Sequence, residues 1–230
     1  MPVIKNMLRG AAALSLLLTP LALPSAAAAA PAAPTAAEVL NVADAIQQIP
    51  IALEDRTGYE RESQFKHWNK GLDPADACHT RNEVLLAEAV ESPTVSAGCK
   101  LAGGKWLSYY DGQEVTDPGK LDIDHMVPLA EAWDSGASAW TAARREAYAN
   151  DQGAAASLVA VTGRSNRSKS DRDPQDWMPP LPDVHCRYIS EWVATKLRWG
   201  LSADQGEAEA LKAYAEGPCE ATVVHYTPAL

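Results

Sequence analysis

Leu121 to Trp133 reads LDIDHMVPLAEAW and sets Asp122, Asp124 and His125 within four residues of one another, just ahead of Pro128. Carboxylate oxygens are hard donors suited to a divalent cation. An imidazole titrates near neutrality and can take a proton from water. A half-buried strand would alternate polar and apolar residues in the same way for structural reasons alone. The stretch therefore needs a partner elsewhere in the chain. LVAVTGRSNRSKSDRDP, which follows downstream, offers Asn166, Lys169 and the bases Arg164, Arg167 and Arg172.

The elements that must position these side chains can be read around them. Leu121 onward predicts a strand ending near Pro128, and SLVAV a short buried strand. AAEVLNVADAIQQI spaces Val39, Val42, Ala43 and Ile46 at helical intervals, with Thr35 as its cap. A short extended piece is expected around residues 65–68. HTRNEVLLAEAV predicts a helix capped at Thr80, with Glu83 completing a capping box. Asp111-Gly112 marks a hairpin between the strands of CKLAGGKWLSYYDGQEV. SAWTAARREAYAND predicts a helix capped at Ser138, and a further helix ends at Gly200, followed by a last amphipathic one over SADQGEAEALKAYAEG. The fold class is α+β, with helices dominating a single domain.

The 230 residues are 47% hydrophobic and 22% charged, enough for one domain with its own core. The first thirty read as a secretory signal peptide: Lys5 and Arg9, an apolar run from Ala11 to Leu23, then small residues suited to cleavage near Ala28 to Ala30. Export gives the four cysteines an oxidising setting. They contain no C-x-x-C pair, and of three possible connectivities Cys78–Cys99 and Cys186–Cys219 close the shorter loops. A net charge of −10 opposes adhesion to nucleic acid or to an anionic membrane, so a polyanion would have to meet a local basic surface or a bound cation.

DIDHMVP followed by LVAVTGRSNRSKSDRDP resembles the HNH, or ββα-metal, endonucleases, in which a D-H pair ends one strand and a short helix after a second strand supplies N-x-x-K. The wider chain, from CHTRNEVL to DRDPQDWMPP, resembles a secreted bacterial HNH group related to the C-terminal domain of GmrSD-type restriction enzymes. The resemblance implies a ββα-metal core over residues 31–230, with His125 as general base and Asp124 and Asn166 as ligands of Mg²⁺ or Mn²⁺. It implies hydrolysis of DNA, or RNA, with little sequence specificity, by a secreted monomer that has no membrane attachment after cleavage. Arg164, Arg167, Lys169 and Arg172 become phosphate contacts, and Arg81, in TRNEVL, either reaches the scissile phosphate or makes a structural ion pair. Asp122 is expected to support the site rather than ligate the metal. The middle asparagine of the HNH name has no clear counterpart: register from Asn166 puts Ser157 there, and Asn150 lies further upstream. That gap favours a rival reading, a disulfide-stapled extracellular module that binds metal or nucleic acid without turnover.

Overall fold

In the computed structural model, which describes Met1 and residues 36–69 and 71–229, the chain runs β1 (Glu38–Asn41), α1 (Val42–Gln47), α2 (Arg61–Gln64), α3 (Thr80–Ala87), β2 (Thr94–Ser96), β3 (Lys100–Ala102), β4 (Trp106–Ser108), β5 (Gln113–Val115), β6 (Leu121–His125), α4 (Leu129–Asp134), α5 (Ala142–Ala149), β7 (Leu158–Thr162), α6 (Gly163–Lys169), α7 (His185–Trp199), α8 (Gln205–Ala215) and β8 (Val223–Tyr226). The strands pair antiparallel, two by two, as β1–β8, β2–β3, β4–β5 and β6–β7. Helices and small sheets thus form one mixed α+β domain, as expected. The predicted signal peptide and the Thr35 cap lie outside the described residues.

The β6–β7 ladder carries the site. Leu121 pairs with Thr162 and His125 with Leu158, so the two ends of the ladder are fixed within one register. Alternation then separates the faces. Leu121, Ile123, Leu158 and Ala160 pack with Val84, Leu85 and Trp106 in a small core beneath α3. Val159 and Val161 join the larger core, in which α7 is the central element. Tyr188, Trp192, Thr195 and Trp199 recur at helical spacing along α7 and are buried there. Gly200 then ends α7 in the left-handed region, at φ 66°, where a residue with a side chain would be strained.

Several local expectations shift. Residues 38–41 form a strand because β8 pairs with them, and α1 starts only at Val42 with Asn41 as its cap. Phe65 to Trp68 lie outside any strand. Thr80 does not cap α3: His79 occupies that position, Glu83 turns back to the amides of Leu72 and Asp73, and the Thr80 hydroxyl reaches Asn150. α5 is capped by Thr141 rather than Ser138. The hairpin at Asp111-Gly112 is present, with Gly112 at φ 66°. Both disulfides form as expected. Cys78–Cys99 ties the loop before α3 to the β2–β3 hairpin, and Cys186–Cys219 ties the start of α7 to the chain after α8.

α3 is fastened to β7 by a carboxylate. Glu88 Oε2 accepts from the Ala160 amide at 2.9 Å, and burial pushes its carboxyl up from 4.5 to about 7. A raised folded-state value means that this group's contribution to stability is fully present below pH 4.5 and is lost as pH rises through 7. Glu88→Gln keeps an acceptor and removes the charge. It should leave stability unchanged near pH 4 and raise it at pH 8 by roughly 3 kcal/mol. Urea denaturation at both pH values checks this; an equal effect at the two would remove Glu88 as the cause.

Candidate active site

His125 closes β6, and its ring is held from three sides. Nε2 lies 2.9 Å from the carbonyl oxygen of Ala149, the last residue of α5. A carbonyl only accepts, so Nε2 carries the proton and Nδ1 keeps its lone pair. Trp68 stacks on the imidazole at 5.5 Å and 22°, with Tyr148 at 6.4 Å and 19° further out. Trp68 adopts φ 56°, a left-handed conformation rare for an aromatic residue. Burial pushes the imidazole down to about 3, so the ring is neutral across the physiological range. Asn150 explains why Ala149 stays in place. Its side chain bonds the carbonyls of Lys66 and Glu146 and accepts from the Asn69 amide and the Thr80 hydroxyl.

Asp124 is the next residue back and faces the other way, paired with Val159. Its Oδ2 accepts from Lys169 Nζ and, at 2.6 Å, from the Tyr110 hydroxyl. Burial raises the Asp124 carboxyl and lowers the Lys169 ammonium, each opposed by the other's charge. Oδ1 has no protein donor among the described residues, and the side chain lines a cleft of about 490 Å³ together with His125, Asn166, Arg61 and Arg167. The two residues share this cleft, although successive strand positions point apart, because β6 ends at His125.

Asn166 sits on α6 facing the same cleft. Its amide nitrogen donates to Asp122 Oδ2 at 3.2 Å, so its oxygen points elsewhere and has no donor among the described residues. Asp122 also pairs with Arg167 at 3.3 Å. The hydrogen bond to Asp122 fixes which way the Asn166 carboxamide faces.

The predicted phosphate contacts divide. Lys169 must be corrected: it is fully buried, and its three protons go to Asp124 and to the carbonyls of His125 and Met126. Arg81 is corrected as well, since its guanidinium is taken by the carbonyls of Pro118 and Leu121. Arg172 is exposed and bonds the Lys169 carbonyl. Arg167 is exposed at the cleft, whereas Arg164 lines a different cavity across α6.

Three contributors were not legible in the sequence. Arg61, which lines the cleft with a half-exposed side chain, comes from a polar loop with no motif around it. Trp68 was one of seven tryptophans with nothing to single it out. The Ala149 carbonyl is backbone and leaves no mark in sequence at all.

Set out this way, the cleft belongs to a small α+β domain that offers a neutral imidazole, a carboxylate oxygen and a carboxamide oxygen to one space. The family model described as the C-terminal domain of GmrSD restriction endonucleases matches residues 83–213, more than half of the chain. The chain belongs to that nuclease-related family. An uncharacterized secreted protein of Arthroderma benhamiae is 35% identical over 194 residues, covering 84% of this chain and 91% of its own. No solved structure matches. The family match includes Asp124, His125 and Asn166 but begins after Arg61 and Trp68.

Lys169→Met keeps the length of the side chain and strands a buried carboxylate and two carbonyls. It should destabilise the domain by about 3–5 kcal/mol. Arg167→Met, on the exposed face of the same helix, should stay within about 0.5 kcal/mol. Guanidinium denaturation of both variants tests the assignment, and similar losses from the two would contradict it.

Proposed function

We propose that the chain is a secreted, divalent-cation-dependent endonuclease that hydrolyses phosphodiester bonds of DNA, or RNA, with little sequence specificity, its ββα-metal core being β6, β7 and α6. One observation carries the reading: His125 is fastened through Nε2 with Nδ1 left as a base, in a cleft shared with the unpartnered oxygens of Asp124 and Asn166. The order strand, antiparallel strand, helix supports it, as does membership of a restriction-endonuclease-derived family. Secretion is supported by the signal-like first thirty residues, by the two disulfides and by the secreted relative.

The donor set suits a hard cation. A carboxylate oxygen and a carboxamide oxygen, neither engaged by a protein donor among the described residues, leave room for waters and phosphate oxygens around Mg²⁺ or Mn²⁺. Such an ion, held by Asp124 and Asn166, would supply positive charge to the phosphate and the leaving oxygen. His125 Nδ1 accepts a proton from the attacking water, and the Ala149 carbonyl stabilises the imidazolium that forms. Its depressed pKa keeps it free to accept, and the negative charge of a bound phosphate raises its basicity. Lys169 and Tyr110 hold Oδ2 of Asp124 so that only Oδ1 is presented. Arg61 and Arg167 meet the phosphate backbone, the role the sequence had given to Lys169 and Arg81. The Ala149 carbonyl orients His125 where the family would use an asparagine, which supports turnover over a binding module that keeps the metal site alone.

With His125→Ala, Mn²⁺ binding by calorimetry should persist while plasmid nicking falls by roughly 10²–10⁴-fold. With Asn166→Ala, Mn²⁺ affinity and nicking should fall together, and EDTA should abolish cutting by the wild type. Cutting in EDTA, or a wild-type rate from His125→Ala, would overturn the reading.

Arg61→Ala and Arg167→Ala should each weaken binding of all sequences alike and lower the salt-dependence slope by about one. Titrations of unrelated oligonucleotides between low and moderate salt measure this. Loss confined to one sequence would make either arginine a reader of bases.

A further inference from the structure

Across α6 from the cleft lies a larger cavity, about 740 Å³, between the β4–β5 turn and residues 177–180. Its volume falls within the range of sites for small organic molecules. One wall is apolar, made by Trp177, Met178 and Pro180, and the indole of Trp177 is anchored by a hydrogen bond to Ser168. The opposite wall carries Asp111, whose carboxylate accepts from Thr162 Oγ1 at 2.5 Å and Ser165 Oγ at 2.9 Å. Gln113 adds an exposed amide, able both to donate and to accept. Arg164 lines the same cavity, is exposed, and has no hydrogen-bond or ion-pair partner among the described residues.

We propose that this cavity is a subsite for an unpaired nucleobase of the strand being cut, with Arg164 taking the adjoining phosphate. The inference rests on the endonuclease reading and adds a substrate class to it, single-stranded or locally melted nucleic acid. The Asp111 carboxylate repels a phosphate from the interior and leaves it to a neutral ring. The apolar wall offers that ring a face to pack on, as single-strand binders do, while Gln113 meets its edge. Arg164 and Arg167 are three positions apart on α6, so they are neighbours on its surface. The helix is about 10–12 Å across, so a strand passing over it from the cleft reaches the cavity within a few nucleotides. A base stacked in a duplex cannot enter.

Anisotropy with fluorescein-labelled ten-nucleotide oligothymidine, oligouridine and a hairpin duplex, in EDTA so that nothing is cut, tests the subsite on the full secreted chain. Wild type should bind the single strands about tenfold or more tightly than the hairpin, and the two single strands separate DNA from RNA as the source of the base. Met178→Ala and, independently, the exposed Gln113→Ala should erase most of that preference while affinity for the hairpin is kept. Equal affinity for single strand and hairpin in a wild type that nicks plasmid overturns the subsite and leaves the nuclease reading standing. Variants that keep the full preference do the same. A wild type that binds neither overturns the subsite, and the nuclease reading falls with it only where that protein also fails to nick plasmid in Mg²⁺.

Discussion

The site hangs on one buried ion pair. Lys169 ends α6, Asp124 lies one residue from the end of β6, and neither is accessible to solvent to any useful degree. Burying two charges costs several kcal/mol per ion unless their hydrogen bonds are complete. Here they are complete on the lysine side, with three protons and three oxygens. The rings of Tyr110, Tyr188 and Trp192 lie 5.7–5.8 Å from the ammonium and add favourable faces. Because Lys169 also grips the carbonyls of His125 and Met126, it sets the helix end against the strand end. Asn166 lies one turn before Lys169, so the same grip brings its oxygen to the cleft beside Asp124.

A second buried lysine does the corresponding work behind the site. Lys196 on α7 bonds Glu131 of α4, Glu207 of α8, the Ser135 hydroxyl and the Ser202 carbonyl. Trp192 stands between the two lysines, 5.7 Å from each. α4 is buried along its whole length, and its last residue, Asp134, holds Arg56 while Arg56 reaches on to Asp171 at the cleft. The loop that brings Tyr59 and Arg61 to the cleft is therefore anchored to the helix layer through Arg56 and through the Trp133 indole on the Thr57 carbonyl. Placement of the exposed cation Arg61 depends on the half-exposed Arg56, which ties its loop to the buried Asp134 of α4.

What could be read in advance was what side-chain type and spacing encode. The β6 and β7 strands, the Asp111-Gly112 hairpin and the Gly200 stop follow from local pattern, because neighbours in sequence decide them; the cysteine pairing follows from loop length, and Asp124, His125 and Asn166 were singled out by their resemblance to the HNH elements. The errors share a different cause. Thr80 and Glu83 have the residue types of a capping box, yet each finds a partner remote in sequence, in Asn150 and in the 71–73 turn. Residues 38–41 are helical by spacing and strand by pairing, since β8 arrives from the other end of the chain. Lys169 reads as a surface base in a polar run, and only the tertiary fold reveals that a carboxylate waits for it inside. Asn150, considered for the missing HNH asparagine, turns out to act one step removed, by fixing the carbonyl that fixes His125.

Charge resolves along the same lines. A chain of net charge −10 should repel a polyanion, but a phosphate at the cleft responds to charges within about a Debye length, roughly 8 Å at physiological salt. Around that cleft three carboxylates are already paired: Asp122 with Arg167, Asp124 with Lys169, Asp171 with Arg56. Arg61 remains, with only a loose 3.9 Å approach to its neighbour Glu62. Arg56 is shared with Asp134, so four cations face four anions before any metal is added, and a divalent ion on Asp124 and Asn166 would tip the balance to positive. The acidic surface elsewhere then favours solubility, and under the proposed function the attraction for a phosphate is confined to the cleft.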